Sequence, residues 1–526
     1  MSSDTTIIDT EVLIIGGGVT GTGIMRDLAL RGIHSLLIDK RDLCAGASGG
    51  NHGLLHSGGR YVSTDPDAAR ECRQENALLK RLAPQCIETA GGLFVAVEGD
   101  DPDFAGRFPL LCREAGIECE ELAPAEARML EPVLSERLFK AYRVPDATID
   151  PFHLAMLNVD HARLINGSVF RPHTEVLRFE VADGEVRAAV CHDYMHQRTI
   201  TIRARQFVNA GGAWAMNIAR LAGCADVHLL YAKGTILVSN DRLAHHVINR
   251  LRPPDDGDIL VPGGTVSLLG TTSTRTNDLD RAEPTAEEID RNVREGAAMI
   301  PALASARYIR AFSRVRPLLR AAGDASDREA RRGFALLDHV TQGLGNFCTI
   351  TGGKLTTFRL MAERTSDLVA RRLGNDRACM TGTVPLPEDE ASSWTEPGTA
   401  PKHLHQGLDP DDMILCECEM LPQSAIEQIF ADAPGIEPER TIESVALRSR
   451  AGKGPCQGSF CGIRIASYLY DRGYYRDASG LKHMRDFFDE RFKGQRSVIW
   501  GQQAAQMELA EALHCGLLGL DTLEDG

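Results

Sequence analysis

The sequence predicts an α/β fold: a Rossmann-type, doubly wound dinucleotide-binding domain with an inserted α+β subdomain, followed by a small helical domain at the C-terminus. Three observations predict it. Apolar, β-branched runs (EVLIIGGG, HSLLIDK, RQFVNAGG, GNFCTITGG) alternate with helical stretches across residues 8–380. The first run opens directly into Gly16-Gly17-Gly18-Val19-Thr20-Gly21. Beyond residue 412, four cysteines fall within a short helical segment.

In chain order, a strand over 12–15 enters the glycines, a helix runs through Arg31, and a second strand ends at Asp39. The first glycine permits the tight turn and the second lets a pyrophosphate approach the backbone. The third allows close strand–helix packing, and Asp39 is placed to accept ribose hydroxyls. Three later features favour FAD over NAD. They are the small-residue loop at 45–50 with Ala47, Ser48 and Gly49, the strand that enters Gly211-Gly212, and Thr351-Gly352-Gly353-Lys354 ahead of a helix through Arg359 and Glu363. No second G-x-G-x-x-G followed by an acid is present, so the electrons are expected to leave by a carrier other than NAD(P).

Residues of about 85–200 and 225–345 carry less regular strands and turns, and read as the inserted subdomain facing the substrate. Residues 381–411 are rich in Pro, Asp, Glu and Gly without an apolar period and read as a linker. Residues 412–476 form the cysteine domain, and 477–526 a helical tail whose amphipathic stretches (LKHMRDFFDERF, AAQMELAEALHCGLLGL) suit packing or a partner.

Cys416 and Cys418 are separated by one residue, Cys456 and Cys461 by four, and the two pairs by thirty-seven. Four thiolates in two close pairs suit a [2Fe-2S] cluster, and the neighbouring glycines expose amides toward the sulfurs. Structural zinc is the alternative, although zinc ribbons usually space both pairs by two residues. The ten other cysteines read as small buried hydrophobes.

The 526 residues allow three or four domains, and a formal charge of −15 argues against nucleic acid as a partner. Scattered cysteines fit a reducing compartment. The absence of an eighteen-residue apolar run and an acidic start, MSSDTTIIDTEV, predict neither a membrane span nor a secretory signal.

The segments IIGGGVTGTGIMRDLALRG, GNHGLLHSGGRY, AKGTILV, DILVPGGTVSLLGTTS, VRPL and TGGKLTTFRLMAE resemble the FAD-dependent glycerol-3-phosphate dehydrogenases. The CEC pair with GKGPCQGSFCGIR resembles the bacterioferritin-associated-ferredoxin (BFD) type of [2Fe-2S] domain. In that order they are similar to the large catalytic chains of the anaerobic branch of the family. The resemblance implies oxidation of sn-glycerol 3-phosphate to dihydroxyacetone phosphate by hydride transfer to FAD. Electrons would then pass through the cluster at Cys416, Cys418, Cys456 and Cys461 and through partner subunits B and C to membrane quinone. The chain is accordingly expected in the cytoplasm, on the inner face of the cell membrane through those partners.

The cofactor set expected on these grounds is Gly16, Gly18, Gly21, Asp39, Ala47, Ser48, Gly49, Val176, Gly211, Gly352, Gly353, Lys354 and Leu355. By the same similarity Arg60, Tyr61, Arg316 and Lys354 line the substrate pocket, with the cations holding the phosphate. Ile236 stands where aerobic relatives carry a histidine proposed as base, so His56 is the leading base and Lys354 the second. His52 and His245-His246 have weaker claims. Arg314 stands where the family text usually has glycine. The rival readings are a related FAD and iron–sulfur dehydrogenase of a 2-hydroxy or amino acid, and a redox sensor without turnover.

Overall fold

The computed structural model describes residues 6–224, 229–319, 333–388, 392–407, 409–432 and 440–523. Val12, Leu13 and Ile14 have no exposed surface, as expected of an apolar run in a strand covered on both faces. Their strand, Thr6–Ile15, runs parallel to Arg198–Asn209 on one side and Ser35–Ile38 on the other. Val169–Arg171 and Phe347–Gly352 add in parallel at either side of these. Antiparallel strands Thr174–Ala182, Glu185–Asp193 and Phe334–Asp338 complete the eight-stranded sheet. Helices Val19–Leu30, Pro151–Asn166 and Phe358–Arg372 bury Ile24, Met25, Leu28, Met156, Met361 and Val369 with one face of it. This is the α/β arrangement read from the sequence.

The second sheet has nine strands drawn from both inserted segments. Gly92–Val97, Glu120–Leu122 and Leu138–Val144 come from the first; Leu229–Ser239 through Tyr308–Leu319 come from the second. The segments fuse where Val247–Arg250 pairs in parallel with Gly92–Val97. Strand pairing corrects both insertion boundaries. Helix Pro151–Asn166 and the strands up to Asn209 belong with the first sheet, so the first insertion closes near residue 150 and not 200. Phe334–Asp338 also returns to the first sheet, so the second insertion ends at strand Tyr308–Leu319, short of 345. An antiparallel edge and an inserted sheet carry the same alternating pattern, which is why sequence alone does not separate them.

The C-terminal region departs from the expectation in two ways. Residues 381–411 do not form a featureless linker: Ser392–Thr395 make a 3-10 turn and Thr399–Gly407 a helix, and Trp394 and Ala400 enter the C-terminal core. One buried tryptophan anchors a segment whose average composition is polar. The tail is likewise no appendage. Phe487, Phe488 and Phe492 of helix Ser479–Arg496 share that core with Ile426, Ile442, Val445, Ile465 and Leu469, so residues 412–476 and the tail form one unit.

The unit is seated on the rest of the chain. Arg448 pairs with Asp42 at 2.8 Å, Glu490 lies 3.4 Å from Arg314 and 3.7 Å from Arg310, and the Lys453 ammonium stands 5.1 Å from the centre of the Phe152 ring. Among the described residues no helix is long and apolar enough to cross a membrane.

Candidate active site

A cavity of about 570 Å³ is lined by both sheets. Its first-sheet end is a backbone cradle. Gly16 has φ +120°, and a Cβ there would press on the Ala210 carbonyl; a Cβ on Gly21 would collide with the Gly16 carbonyl oxygen. Only glycine fits either place. The Asp39 carboxylate accepts from the amides of Gly17 at 2.7 Å and Arg41 at 2.8 Å, and burial, the dominant influence, pushes its pKa up. Ser48 Oγ accepts from Val19 N at 3.1 Å, and Asn51 Nδ2 donates to the Ser48 carbonyl at 2.6 Å, which pins the 45–50 loop to the helix start.

Gly16, Gly18, Asp39, Ala47, Ser48, Val176, Gly211, Gly352, Gly353, Lys354 and Leu355 all line this cavity. Gly21 serves the packing role instead. Gly49 is off the wall: a Cβ on it would meet the Phe152 ring at 2.8 Å and the Cys44 carbonyl, so its small size serves the contact behind the loop. A narrow cradle with an oriented carboxylate and a floor without side chains fits a dinucleotide.

The second end gathers polar side chains. Arg316 donates from Nη1 to Thr271 Oγ1 at 3.2 Å and from Nη2 to the Thr272 carbonyl at 2.6 Å, which fixes its fork on the cavity wall. Tyr61 Oη lies 3.4 Å from His56 Nε2, and the Lys354 ammonium sits 4.6 Å from the Tyr61 ring centre. The histidine loop is pinned from behind. His56 N donates to Thr356 Oγ1 at 3.0 Å and Ser57 N to Asp146 Oδ1 at 2.6 Å, while Asn249 Nδ2 holds the other Asp146 oxygen at 3.1 Å.

His56, Tyr61, Arg316 and Lys354 are thus brought together on the cavity wall. Arg60 is not on it: its guanidinium turns to Asp258 Oδ2 at 3.4 Å and the Asp255 carbonyl at 3.3 Å, leaving Nη1 buried without a hydrogen-bond partner. Ile236 and Arg314 do line the cavity. His245 and His246 instead donate their amides to Glu131, away from it. Sequence reasoning missed the roles of Thr271, Thr272, Thr356 and Asp146. The two threonines at 271–272 sit in the resembling segment GTTS, whereas Asp146 carried no local signal.

The four predicted cysteines meet in one place. The Cys461 thiol lies close enough to Cys416 and Cys456 to perturb their ionisation, and Cys456 does the same with Cys418, so the four gather in one place. Gly454 lies against Cys418, where a Cβ would strike the Cys418 Cβ. Among the described residues no group of three His, Cys, Asp or Glu encloses a point for a single metal ion. Four thiols gathered in one place are a donor set that fits a two-iron cluster, and a tetrahedral zinc ion as well. Of the remaining cysteines, Cys112 and Cys119 lie close enough to perturb each other's ionisation, a pairing the spacing did not suggest.

The family model for FAD-dependent oxidoreductases matches residues 11–368. The A chain of the anaerobic glycerol-3-phosphate dehydrogenase of Escherichia coli K12 is 38% identical over 547 residues, covering 97% of each chain. The A1 chain of the Haloferax volcanii anaerobic glycerol-3-phosphate dehydrogenase is 37% identical over 97% of this chain and 91% of its own. Among solved structures, the FAD-complexed glycerol-3-phosphate dehydrogenase of Bacillus halodurans superimposes with a TM-score of 0.65 at 20% identity, covering 94% of this chain and 96% of that one.

Proposed function

The chain belongs to the FAD-dependent oxidoreductases and, within them, to the family of the large, A-type chains of anaerobic glycerol-3-phosphate dehydrogenases, and from that premise we propose that it oxidises sn-glycerol 3-phosphate to dihydroxyacetone phosphate. The observation that carries the reading is the joining of a glycine cradle to a cluster of an imidazole, a phenol, a guanidinium and an ammonium within one cavity. FAD would be held by Gly16, Gly18, Asp39, Ala47, Ser48, Val176, Gly211, Gly352, Gly353 and Leu355, and when bound it supplies the two-electron acceptor for the hydrogen on C2.

The chain's own residues account for the rest. Arg316, its fork preset by Thr271 and Thr272, binds the phosphate with Arg60 behind it. His56 takes the proton of the C2 hydroxyl, and Tyr61 orients the ring through Nε2. Lys354, seated over Tyr61, adds positive charge beside the oxygen that loses its proton.

Cys416, Cys418, Cys456 and Cys461 would hold a [2Fe-2S] cluster that receives the electrons. Partner subunits B and C would carry them onward to membrane quinone and keep the chain at the inner face of the membrane. The seating of the cysteine unit beside the 42–50 loop supports this order. Anaerobic addition of glycerol 3-phosphate to the purified, flavin-loaded protein is expected to bleach the flavin. A carboxylate substrate that bleaches it faster, or no bleaching by any, overturns the reading.

A further inference from the structure

We propose that His52 is a substrate-binding residue that completes, with Arg316 and with Arg60 behind them, a cradle for the phosphate end of the substrate. The inference rests on the substrate being a phosphorylated alcohol. Two nitrogens in this corner, His52 Nδ1 and Arg60 Nη1, are buried and make no hydrogen bond. A buried nitrogen without a partner is rare and costly, so the one on His52, a residue of the cavity wall, points to a ligand oxygen that meets it. His52 lies on the cavity wall beside Arg316, four residues before His56 in GNHGLLHSGGRY.

The surroundings of His52 are those of an anion site. Arg60 faces it from the turn Gly59–Tyr61, Arg316 from the strand Tyr308–Leu319, and the His56 ring centre is 6.3 Å away; no carboxylate is among the charges acting on it. Asp258 engages Arg60 through Nη2, at 3.4 Å, and not through Nη1. Burial first, and the two guanidinium charges second, lower the His52 pKa to about 3. The free protein therefore presents a neutral imidazole at physiological pH.

A phosphate dianion between the guanidiniums cancels their repulsion and adds opposite charge, so the imidazole takes up a proton and becomes a third cation on the phosphate. The sign follows by linkage. A group whose pKa is low in the free protein and higher in the complex makes binding proton-coupled, and affinity gains as pH falls toward the bound-state value.

The test uses flavin-loaded full chain titrated calorimetrically with inorganic phosphate, at several pH values and in buffers of differing ionisation heat. The wild type is compared with His52→Gln, which keeps an N–H donor and cannot take a proton. The wild type is expected to take up more protons per phosphate than the variant. The variant is expected to bind about tenfold or more weakly below neutral pH, the range for a hydrogen bond to a charged group. Equal affinity and equal proton uptake in the two proteins overturn the proposal. Should the variant not fold, the wild type decides alone: uptake no greater than phosphate's own titration overturns it. If glycerol 3-phosphate reduces the flavin of both proteins with the same KM, the cradle falls and the substrate reading stands. If it reduces neither and phosphate does not bind, both fall.

Discussion

Replacing Arg316 by alanine is expected to separate substrate binding from cofactor binding. In the free protein the guanidinium spends Nη1 on Thr271 and Nη2 on the Thr272 carbonyl, so its orientation is set before substrate arrives. A hydrogen bond to a charged group contributes about 1.5–3 kcal/mol, so losing two to a phosphate is worth about 3–6 kcal/mol. With Arg60 and Lys354 still present the lower end applies, which is a fall of about 10² in kcat/KM. Arg316→Lys, which keeps a point charge and loses the fork, falls between. The loss of the two internal hydrogen bonds costs about 1–2 kcal/mol of stability, too little to unfold a domain of this size. Flavin content is expected to hold, because the glycine cradle belongs to the other sheet. Anaerobic stopped-flow bleaching against glycerol 3-phosphate gives the rate constants, and the ratio of flavin to protein gives the occupancy. A kcat/KM within about threefold of wild type would refute the phosphate role, since one hydrogen bond alone exceeds that. A parallel loss of flavin would instead make Arg316 a cofactor-retaining residue.

Gly21→Ala drives a methyl into the Gly16 carbonyl and is expected to yield protein without flavin; retention of full flavin absorbance would remove the cradle argument. Cys456→Ser is expected to abolish iron by elemental analysis while glycerol 3-phosphate still bleaches the flavin and transfer to an external acceptor stops. Unchanged iron counts against the ligand assignment. Burial raises the Asp42 pKa, but the Arg448 charge and hydrogen bonds outweigh it and hold the value below the ordinary one. A depressed carboxylate stabilises above its unfolded pKa and loses that contribution as pH falls through its folded value, so the seam should loosen in acid below about pH 4. Asp42→Asn should remove that acid step and cost about 1–3 kcal/mol of seam stability at neutral pH, read by hydrogen exchange in helix Ile442–Arg448. The same acid profile in both proteins would exclude the pair.

What was legible in the sequence was what short-range order determines. Strand, glycine turn, helix, second strand and acid lie within residues 6–39, and each constrains its neighbour sterically, so the cradle could be placed from sequence alone. The four cysteines likewise announced themselves by spacing. Relations made by distant strand pairing were not legible. Asp146 reaches Ser57 across 89 residues, and no local pattern distinguishes such an aspartate from a solvated one. Arg60 carried a family motif, yet Asp258, itself fully buried, draws its guanidinium off the cavity wall.

Arg314 carries this furthest. In the sequence it is a departure from glycine, with no partner to be seen. In the fold its stem crowds the place a Cβ on Gly50 would occupy, and its guanidinium lies 3.4 Å from Glu490 of helix Ser479–Arg496, 176 residues away. Arg310, Arg314 and Arg316 alternate along one face of strand Tyr308–Leu319, and Glu490 is paired with the first two while Arg316 faces the cavity. Alternation in a strand puts residues two apart on the same side, so a charge left unpaired at 314 acts directly on 316. The C-terminal helix, read as suiting packing or a partner, thus also sets the electrostatics beside Arg316 on the cavity wall. Glu490→Gln should therefore add net positive charge to the wall and strengthen anion binding in general, raising affinity for sulfate as well as phosphate. A selective effect on phosphate, or none, would show that the Arg314 charge is already screened from the cavity.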